Sequence, residues 1–167
     1  LVGIEVPNVT SALVTLRSVI ESPAFRKVAA KSKLAVALGQ GPGGEPIAGD
    51  LAKMPHLLIA GATGSGKTVC LNSLVSCLLT QATPHEVRFV LIDPKRVEMT
   101  PYQGIPHLLT PVVVDPDKAV EALRKVSLEM DRRYRKFAEV GVRNIEAYNR
   151  SPKAPEAMPY IVVIIDE

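Results

Sequence analysis

A glycine-rich run that ends in lysine and threonine is the part of the sequence best suited to chemistry. Its residues are Gly61, Ala62, Thr63, Gly64, Ser65, Gly66, Lys67 and Thr68. This order matches the pattern GxxxxGK[ST], in which glycines let backbone N–H groups turn around phosphates. In such a loop Lys67 would reach the β- and γ-phosphates, and the hydroxyl of Thr68 would ligate Mg²⁺. We therefore expect residues 61–68 to bind ATP with Mg²⁺, with Lys67 also taking part in catalysis.

Two acidic residues, Asp166 and Glu167, follow an apolar run near the last residue of the sequence. An apolar strand that ends in aspartate is the Walker B arrangement, whose carboxylate holds Mg²⁺ directly or through water. The next carboxylate, Glu167, is placed to polarise an attacking water, a role that a nucleotide-transferring kinase would not need. The two acids together with residues 61–68 favour an ATPase.

A third polar group comes directly after the apolar run Val87–Ile92, and it contains Asp93 and Lys95. The carboxyl ends of parallel strands are where open α/β sheets bind ligands. Asp93 and Lys95 could therefore face the nucleotide or a neighbouring subunit. Alternatively, Asp93 forms an Asx-type turn before Pro94. The residues alone leave both interpretations open.

The elements that must position these groups alternate between strands and helices. Strands are predicted at residues 35–38, 57–60, 87–92, 111–114 and 160–165, and helices at residues 10–22, 66–80 and 117–140. Residues 40–46, rich in glycine and proline, predict a turn or loop. Apolar strands that alternate with helices indicate an α/β fold with a mostly parallel sheet covered on both faces. We expect residues 1–45 to form an N-terminal helix and linker, and residues 46–167 to form the nucleotide-binding core.

The long helix predicted over residues 117–140 has clear end signals, namely Asp115 as cap, Pro116 in the first turn and Gly141 beyond the end. Its expected apolar face consists of Val120, Leu123, Val126, Met130, Tyr134 and Phe137. Its expected basic face consists of Arg124, Lys125, Arg132, Arg133, Arg135 and Lys136. The basic face could contact DNA. A salt-bridged, solvated surface is the favoured interpretation, because Glu121, Glu129 and Asp131 each lie four residues before a basic residue.

The composition indicates a globular chain that is only mildly basic. The 167 residues are 47% apolar and carry a net charge of +3, which permits a nucleic-acid partner without demonstrating one. No apolar run approaches the ~20 residues that span a bilayer, so we expect no membrane contact from this segment. Because the sequence lacks a start methionine and a secretory signal, it is interpreted as a piece of a longer protein. Cys70 and Cys77, on one predicted helix, would be about 10 Å apart and too distant for a disulfide.

The sequence as a whole resembles the motor domain of the FtsK/SpoIIIE family of bacterial DNA translocases. The resembling segments are residues 3–8, 55–61, 92–95, 104–108, 129–134 and 141–145. The glycine-rich pattern of residues 61–68, called the P-loop or Walker A motif, occurs in many families, whereas this ordered set of segments is specific to one.

The resemblance implies a RecA-like P-loop NTPase core that assembles as a homo-hexamer around double-stranded DNA. It implies ATP-driven movement of that DNA in chromosome segregation and cell division, by a cytoplasmic segment of a protein anchored in the bacterial inner membrane. Lys67, Thr68, Asp166 and Glu167 occupy the positions of the family's Walker A and Walker B residues. The family's central strand and arginine finger come later than Glu167. We therefore expect the sheet to be incomplete at its C-terminal end and to expose apolar surface.

Two other functions remain as alternatives. One is a related hexameric ATPase for protein export or conjugative coupling, which would share the same nucleotide-binding motifs. Residues 92–95 and 141–145 favour the chromosome translocase over it. The other is a module that binds nucleotide without hydrolysing it, and the presence of Glu167 argues against that function.

Overall fold

The computed structural model of the chain describes residues 4, 6 and 12–167. They divide into two compact units, one ending at Cys77 and one running from Leu78 to Glu167. Most of the resembling segment at residues 3–8 lies outside the described residues, as do the first two residues of the helix predicted over 10–22.

The first unit begins with two short helices, α1 (Leu16–Ile20) and α2 (Pro23–Ala29). The prediction of one helix ending before Pro23 is therefore wrong. Thr15 Oγ1 accepts a hydrogen bond from the Ser18 N–H at 3.2 Å, which starts α1 later than expected. Pro23 begins α2 instead of ending a helix, because a proline in the first turn has no N–H to leave unpaired.

An antiparallel hairpin follows, formed by β1 (Ala35–Gln40) and β2 (Pro46–Asp50). The turn predicted at residues 40–46 is confirmed: the N–H of Gly41 donates to the carbonyl of Glu45 at 2.8 Å. β2 was not predicted. The strand β1 packs with α1 and α2 in a buried cluster formed by Val19, Phe25, Ala35, Ala37 and Cys77.

The helix α3 (Lys67–Gln81) is attached to this hairpin through Cys77. Its Sγ accepts a hydrogen bond from the backbone N–H of Ala37 at 3.3 Å, and burial raises the pKa of the thiol. Cys70 and Cys77 are both free thiols, as expected. The prediction of a helix over residues 66–80 is confirmed to within one residue at each end.

The strand predicted at residues 57–60 is absent. These residues form no ladder within the described part of the chain, and the side chain of Leu58 is 90% exposed. A strand exists only where a neighbour accepts and donates its backbone hydrogen bonds. The apolar composition of residues 57–60 is typical of a strand, but the prediction of a paired strand there is wrong.

The second unit contains a small parallel sheet formed by β3 (Val87–Ile92) and β4 (Tyr160–Ile165). Both strands have the predicted bounds, and they pair in register from Val87 with Tyr160 to Ile92 with Ile165. The strand predicted at residues 111–114 is reduced to a single bridge between Val113 and Ile92. The N–H of Val113 donates to Leu91, but Pro111, which lies two residues earlier on the same edge, has no N–H with which to extend the ladder.

The long helix α4 (Pro116–Val140) confirms its predicted end signals. Asp115 Oδ1 accepts hydrogen bonds from the N–H groups of Asp117 and Lys118, and Gly141 adopts φ 78° beyond the last turn. Ala119, Ala122 and Val126 pack on the sheet. Much of the predicted apolar face is exposed, because the packed face is centred on these smaller side chains; the exposed members are Val120, Leu123, Met130 and Tyr134.

Three of the six residues of the predicted basic face of α4 form ion pairs. Lys125 pairs with Glu121 at 2.7 Å, and Glu129 pairs with both Arg132 and Arg133. The pKa of the Glu129 carboxyl falls to about 2, chiefly because Arg132 donates hydrogen bonds to it and Arg133 adds to the effect. Within the described residues no ion pair joins Asp131 to Arg135.

A short helix, α5 (Ile145–Arg150), closes the end of α4 and was not predicted. Phe137, Tyr148 and Met158 form a buried cluster between α4, α5 and the segment before β4. The side-chain amide of Asn149 makes two hydrogen bonds of 2.8 Å with the backbone of Met158. Arg133 also donates to the carbonyl of Pro159 at 2.7 Å, so the chain is held firmly where it enters β4.

Candidate functional site

The predicted phosphate-binding loop has the backbone conformation that its glycines permit. The N–H of Ser65 donates to the carbonyl of Ala62 at 3.0 Å and closes a tight turn. Gly64 and Gly66 have φ 80° and φ 93°, in the left-handed region where a side chain would be strained. Residues 61–65 are exposed, so the loop is accessible to a ligand.

The helix α3 starts at Lys67, directly after this turn. Its first hydrogen bond runs from the N–H of Cys70 to the carbonyl of Gly66 at 2.9 Å, and Asn72 donates to the carbonyl of Thr68 at 3.1 Å. The first turn of a helix presents N–H groups and the positive end of the helix dipole, which together attract anions. Loop and helix therefore form an arrangement that can hold the phosphates of a nucleotide.

Two buried carboxylates lie side by side at the carboxyl edge of the parallel sheet. Asp166 follows β4, is 3% exposed, and donates its N–H to the carbonyl of Ile92 at 3.0 Å. Asp93 follows β3 and is fully buried. The in-register pairing of Ile92 with Ile165 brings these two aspartates to neighbouring positions. Ionised carboxylates in such positions need cations or hydrogen-bond donors to offset the loss of water.

The loop after β3 is organised by Asp93. Its Oδ2 accepts hydrogen bonds from the N–H groups of Glu98 and Met99 at 3.0 and 2.9 Å, and its carbonyl accepts from Arg96 at 3.1 Å. Met99 is itself fully buried. Of the two interpretations of Asp93, these contacts support a role in forming the turn. Its other oxygen, Oδ1, is buried and accepts no hydrogen bond from any described residue.

Lys95 extends from this loop and forms an ion pair with Glu167. Both side chains remain about half exposed, at 60% and 48%. Glu167 has φ 52°, which is unusual for a residue other than glycine. The sequence placed both residues after apolar strands but could not pair them, because strand register is not encoded in a motif. The structure thus joins Lys95 to Glu167, one of the two acidic residues after β4.

The donor types present suit Mg²⁺ with a bound triphosphate. Mg²⁺ prefers one or two carboxylates, with its remaining positions taken by phosphate oxygens and waters. A buried aspartate at a sheet edge and the hydroxyl of Thr68 are donors of that kind. Among the described residues no group of three or more His, Cys, Asp or Glu side chains could hold a metal alone.

None of the described helices is both long enough and apolar enough to cross a bilayer.

Comparisons with known proteins identify relatives along the whole chain. DNA translocase FtsK of Halalkalibacterium halodurans is 53% identical over 174 residues, covering 99% of this chain. DNA translocase SpoIIIE of Bacillus subtilis is 52% identical over 175 residues, with the same coverage. DNA translocase FtsK of Caldanaerobacter subterraneus is 57% identical over 166 residues. The chain spans 22% of the length of the first two relatives and 23% of the third.

Solved structures with a similar fold include a conjugation coupling protein and a type VII secretion ATPase. The pCW3 conjugation coupling protein TcpA, in a monomeric form with ATPγS, has a TM-score of 0.68 and 29% identity. That match covers 89% of this chain and 41% of TcpA. The cytoplasmic domain of the type VII secretion ATPase EccC from Thermomonospora curvata has a TM-score of 0.72 over 94% of this chain and 21% of EccC. At 24% identity, this second likeness shows the fold alone.

These structures confirm the predicted α/β fold of a P-loop ATPase motor domain, of which this chain forms a part. The sequence profile of the FtsK/SpoIIIE family matches residues 15–167. The match includes the glycine-rich loop, the loop of Asp93 and Lys95, and both acidic residues after β4. The chain belongs to the FtsK/SpoIIIE family.

Proposed function

We propose that this chain is part of an ATP-driven motor that translocates double-stranded DNA during chromosome segregation and cell division. The observation that carries the proposal is identity of 52% or more, over 99% of the chain, to proteins named DNA translocases. Residues 46–167 would form the N-terminal part of the RecA-like ATPase domain, and residues 1–45 would lead into it. The working form would be a homo-hexamer around DNA, in a protein anchored in the bacterial inner membrane.

ATP binding is assigned to residues 61–68. The backbone of this loop and the start of α3 would hold the phosphates, because both present N–H groups to an anion. The ammonium of Lys67 would contact the β- and γ-phosphates and stabilise charge that develops on them during hydrolysis. These contacts orient the terminal phosphate for attack.

Metal binding is assigned to Thr68 and Asp166, and activation of the attacking water is assigned to Glu167. The hydroxyl of Thr68 and the carboxylate of Asp166 would hold Mg²⁺, which neutralises phosphate charge when it is bound. Glu167 would accept a hydrogen bond from the attacking water and increase its nucleophilicity. Its exposed carboxylate is accessible to water, in contrast to the buried carboxylate of Asp166.

A related ATPase for conjugative coupling or protein export is the second candidate function. The likeness to the coupling protein TcpA, at 29% identity, supports it. The higher identity to the named DNA translocases makes double-stranded DNA the better-supported substrate.

The proposal is tested by measuring ATP hydrolysis with and without linear double-stranded DNA, in the complete protein that contains this sequence. We expect DNA to stimulate turnover strongly, and Lys67→Ala to reduce it by at least about 100-fold. Lys53→Ala is the matched control, because Lys53 is an exposed lysine of the same unit outside the loop. Hydrolysis that ignores DNA would support the export function, and turnover that survives Lys67→Ala would contradict the assignment of the loop.

A further inference from the structure

The ion pair between Lys95 and Glu167 connects the loop after β3 to the proposed water-activating residue. Lys95 approaches Glu167 from a loop with a fixed backbone. Asp93 holds the far side of that loop through Glu98 and Met99, and the Thr100 hydroxyl donates to the carbonyl of Arg96 at 3.2 Å. A lysine on such a loop begins from a defined Cα position, although its own side chain is flexible.

Glu167 lies where negative charge is concentrated. It directly follows the buried Asp166, and Asp93 occupies the neighbouring position on β3. Carboxylates that are close in space repel one another, and the repulsion would turn the exposed Glu167 side chain away from the sheet edge. The ammonium of Lys95 opposes that repulsion and keeps the carboxylate at the edge.

We propose that Lys95 is a positioning residue for Glu167, holding its carboxylate at the sheet edge in the orientation from which it polarises water. The inference rests on the role of Glu167 in the proposed function. Lys95 acts on the base and not on the nucleotide, so its removal should slow the chemical step without weakening ATP binding. An ion pair between side chains that are both exposed contributes little energy, so the effect should be moderate.

The test uses Lys95→Met in the complete protein, assayed with saturating double-stranded DNA. Methionine keeps the length and apolar stem of lysine but removes its charge. We expect kcat to fall about fivefold while KM for ATP stays within about twofold. Lys95→Arg keeps the charge, and it should recover most of the lost kcat. Lys153→Met is the matched control, because Lys153 is an exposed lysine of the same unit that follows α5, and it should change neither constant.

A double-mutant cycle separates positioning of Glu167 from any other effect of the lysine. In a Glu167→Gln background, Lys95→Met should cause no further loss, because the carboxylate that it positions is already absent. An unchanged or increased kcat in Lys95→Met would overturn the inference, as would a full additional fivefold loss in the Glu167→Gln background. A rise in KM with kcat preserved would also overturn it, since that result assigns Lys95 to nucleotide binding.

The proposed function and this inference fail in different ways. Wild-type protein that does not hydrolyse ATP, or Lys67→Ala protein that does, would contradict the proposed function. Normal wild-type hydrolysis that depends on Lys67 but is unaffected by Lys95→Met would contradict the positioning role alone. Circular dichroism and binding of a fluorescent ATP analogue, measured on every variant, exclude misfolding as the cause of a lower kcat.

Discussion

One apolar run precedes the glycine-rich loop and another precedes Asp166, and only the second forms a paired strand among the described residues. Residues 57–60 precede the glycine-rich loop, form no ladder within the described residues, and leave the side chain of Leu58 90% exposed. The strand β4 precedes Asp166 and pairs along its full length with β3. The sequences of the two runs are similar in apolar character, so composition alone does not explain the difference.

The difference lies in what surrounds each run. β4 has a neighbour that is itself buried, and its approach is held by Asn149 and Arg133. Even so, β4 is only half-buried, and Ile165 at its end is 52% exposed. Pairing with a neighbouring strand is therefore more important than burial for the formation of β4. One partner is enough to fix the position of Asp166 but not to cover the strand.

The largest expected effect comes from replacing a residue of β4 by proline, at a position whose N–H faces either β3 or the opposite edge. The N–H of Tyr160 donates to Glu86, directly before β3, and that of Asp166 donates to Ile92 in β3. By alternation the N–H of Val162 faces β3 and that of Val163 faces the opposite edge. We expect Val162→Pro to lower the free energy of unfolding by about 3 kcal/mol or more, and Val163→Pro by about 1 kcal/mol. Denaturant unfolding measures both. Equal losses would mean that the second edge is also paired.

Truncating one leucine in each region compares their burial directly. Leu91 in β3 is completely buried, whereas Leu58 is not. We expect Leu91→Ala to lower the free energy of unfolding by about 3 kcal/mol, because it removes buried methyl groups and leaves a cavity. Leu58→Ala should change it by less than about 0.5 kcal/mol. A large loss from Leu58→Ala would show that residues 57–60 are packed in solution.

Asn149→Ala tests how much the hydrogen bonds between Asn149 and the segment before β4 contribute to stability. This change removes both hydrogen bonds to Met158 and leaves backbone groups of a buried residue without their partner. We expect a loss of about 2 kcal/mol in thermal or denaturant unfolding. Asn149→Asp is the informative control, because it keeps the acceptor for the Met158 N–H and should retain part of the stability. Hydrogen exchange at the amide of Met158 should accelerate in the alanine variant.

The smallest effect concerns the charge network that orients Arg133. Because the folded-state pKa of Glu129 is about 2, below its ordinary value of 4.5, its ion pairs stabilise the fold fully above about pH 4.5. That contribution is lost as the pH falls through 2. We expect Glu129→Gln to cost about 1 kcal/mol at pH 7, after allowance for solvent screening, and almost nothing near pH 2. Stability curves that stay parallel across this range would contradict the assignment.

The parts of the fold that could be predicted from the sequence are those with local signals. Asp115, Pro116 and Gly141 specified both ends of α4, since capping depends only on neighbouring backbone groups. The runs Val87–Ile92 and Tyr160–Ile165 gave correct strand bounds because both are almost entirely apolar, with Arg88 as the one charged residue. The glycine-rich loop was recognised because its motif requires particular residues at fixed spacing.

Features that depend on distant partners could not be predicted. Residues 57–60 lacked a ladder and residues 111–114 kept only one bridge, because neither run has a full-length neighbouring strand among the described residues. The packed face of α4 is centred on alanines, and small residues add little to an apolar pattern even when they allow close packing. Lys95 and Glu167 meet only because β3 and β4 pair in one particular register.

The register between β3 and β4 also determines where residues can be inserted or deleted without moving the acidic residues. Residues may be added to or removed from the connection between β3 and β4, because Asp93, Asp166 and Glu167 are placed by the ends of the strands and not by the chain between them. An insertion of one residue within β4 has the opposite effect. Side chains in a strand alternate between faces, so the insertion would exchange the sheet's packed and outer faces and shift the acidic residues out of line. Evolutionary variation in length should therefore be confined to the connection and absent from the strands.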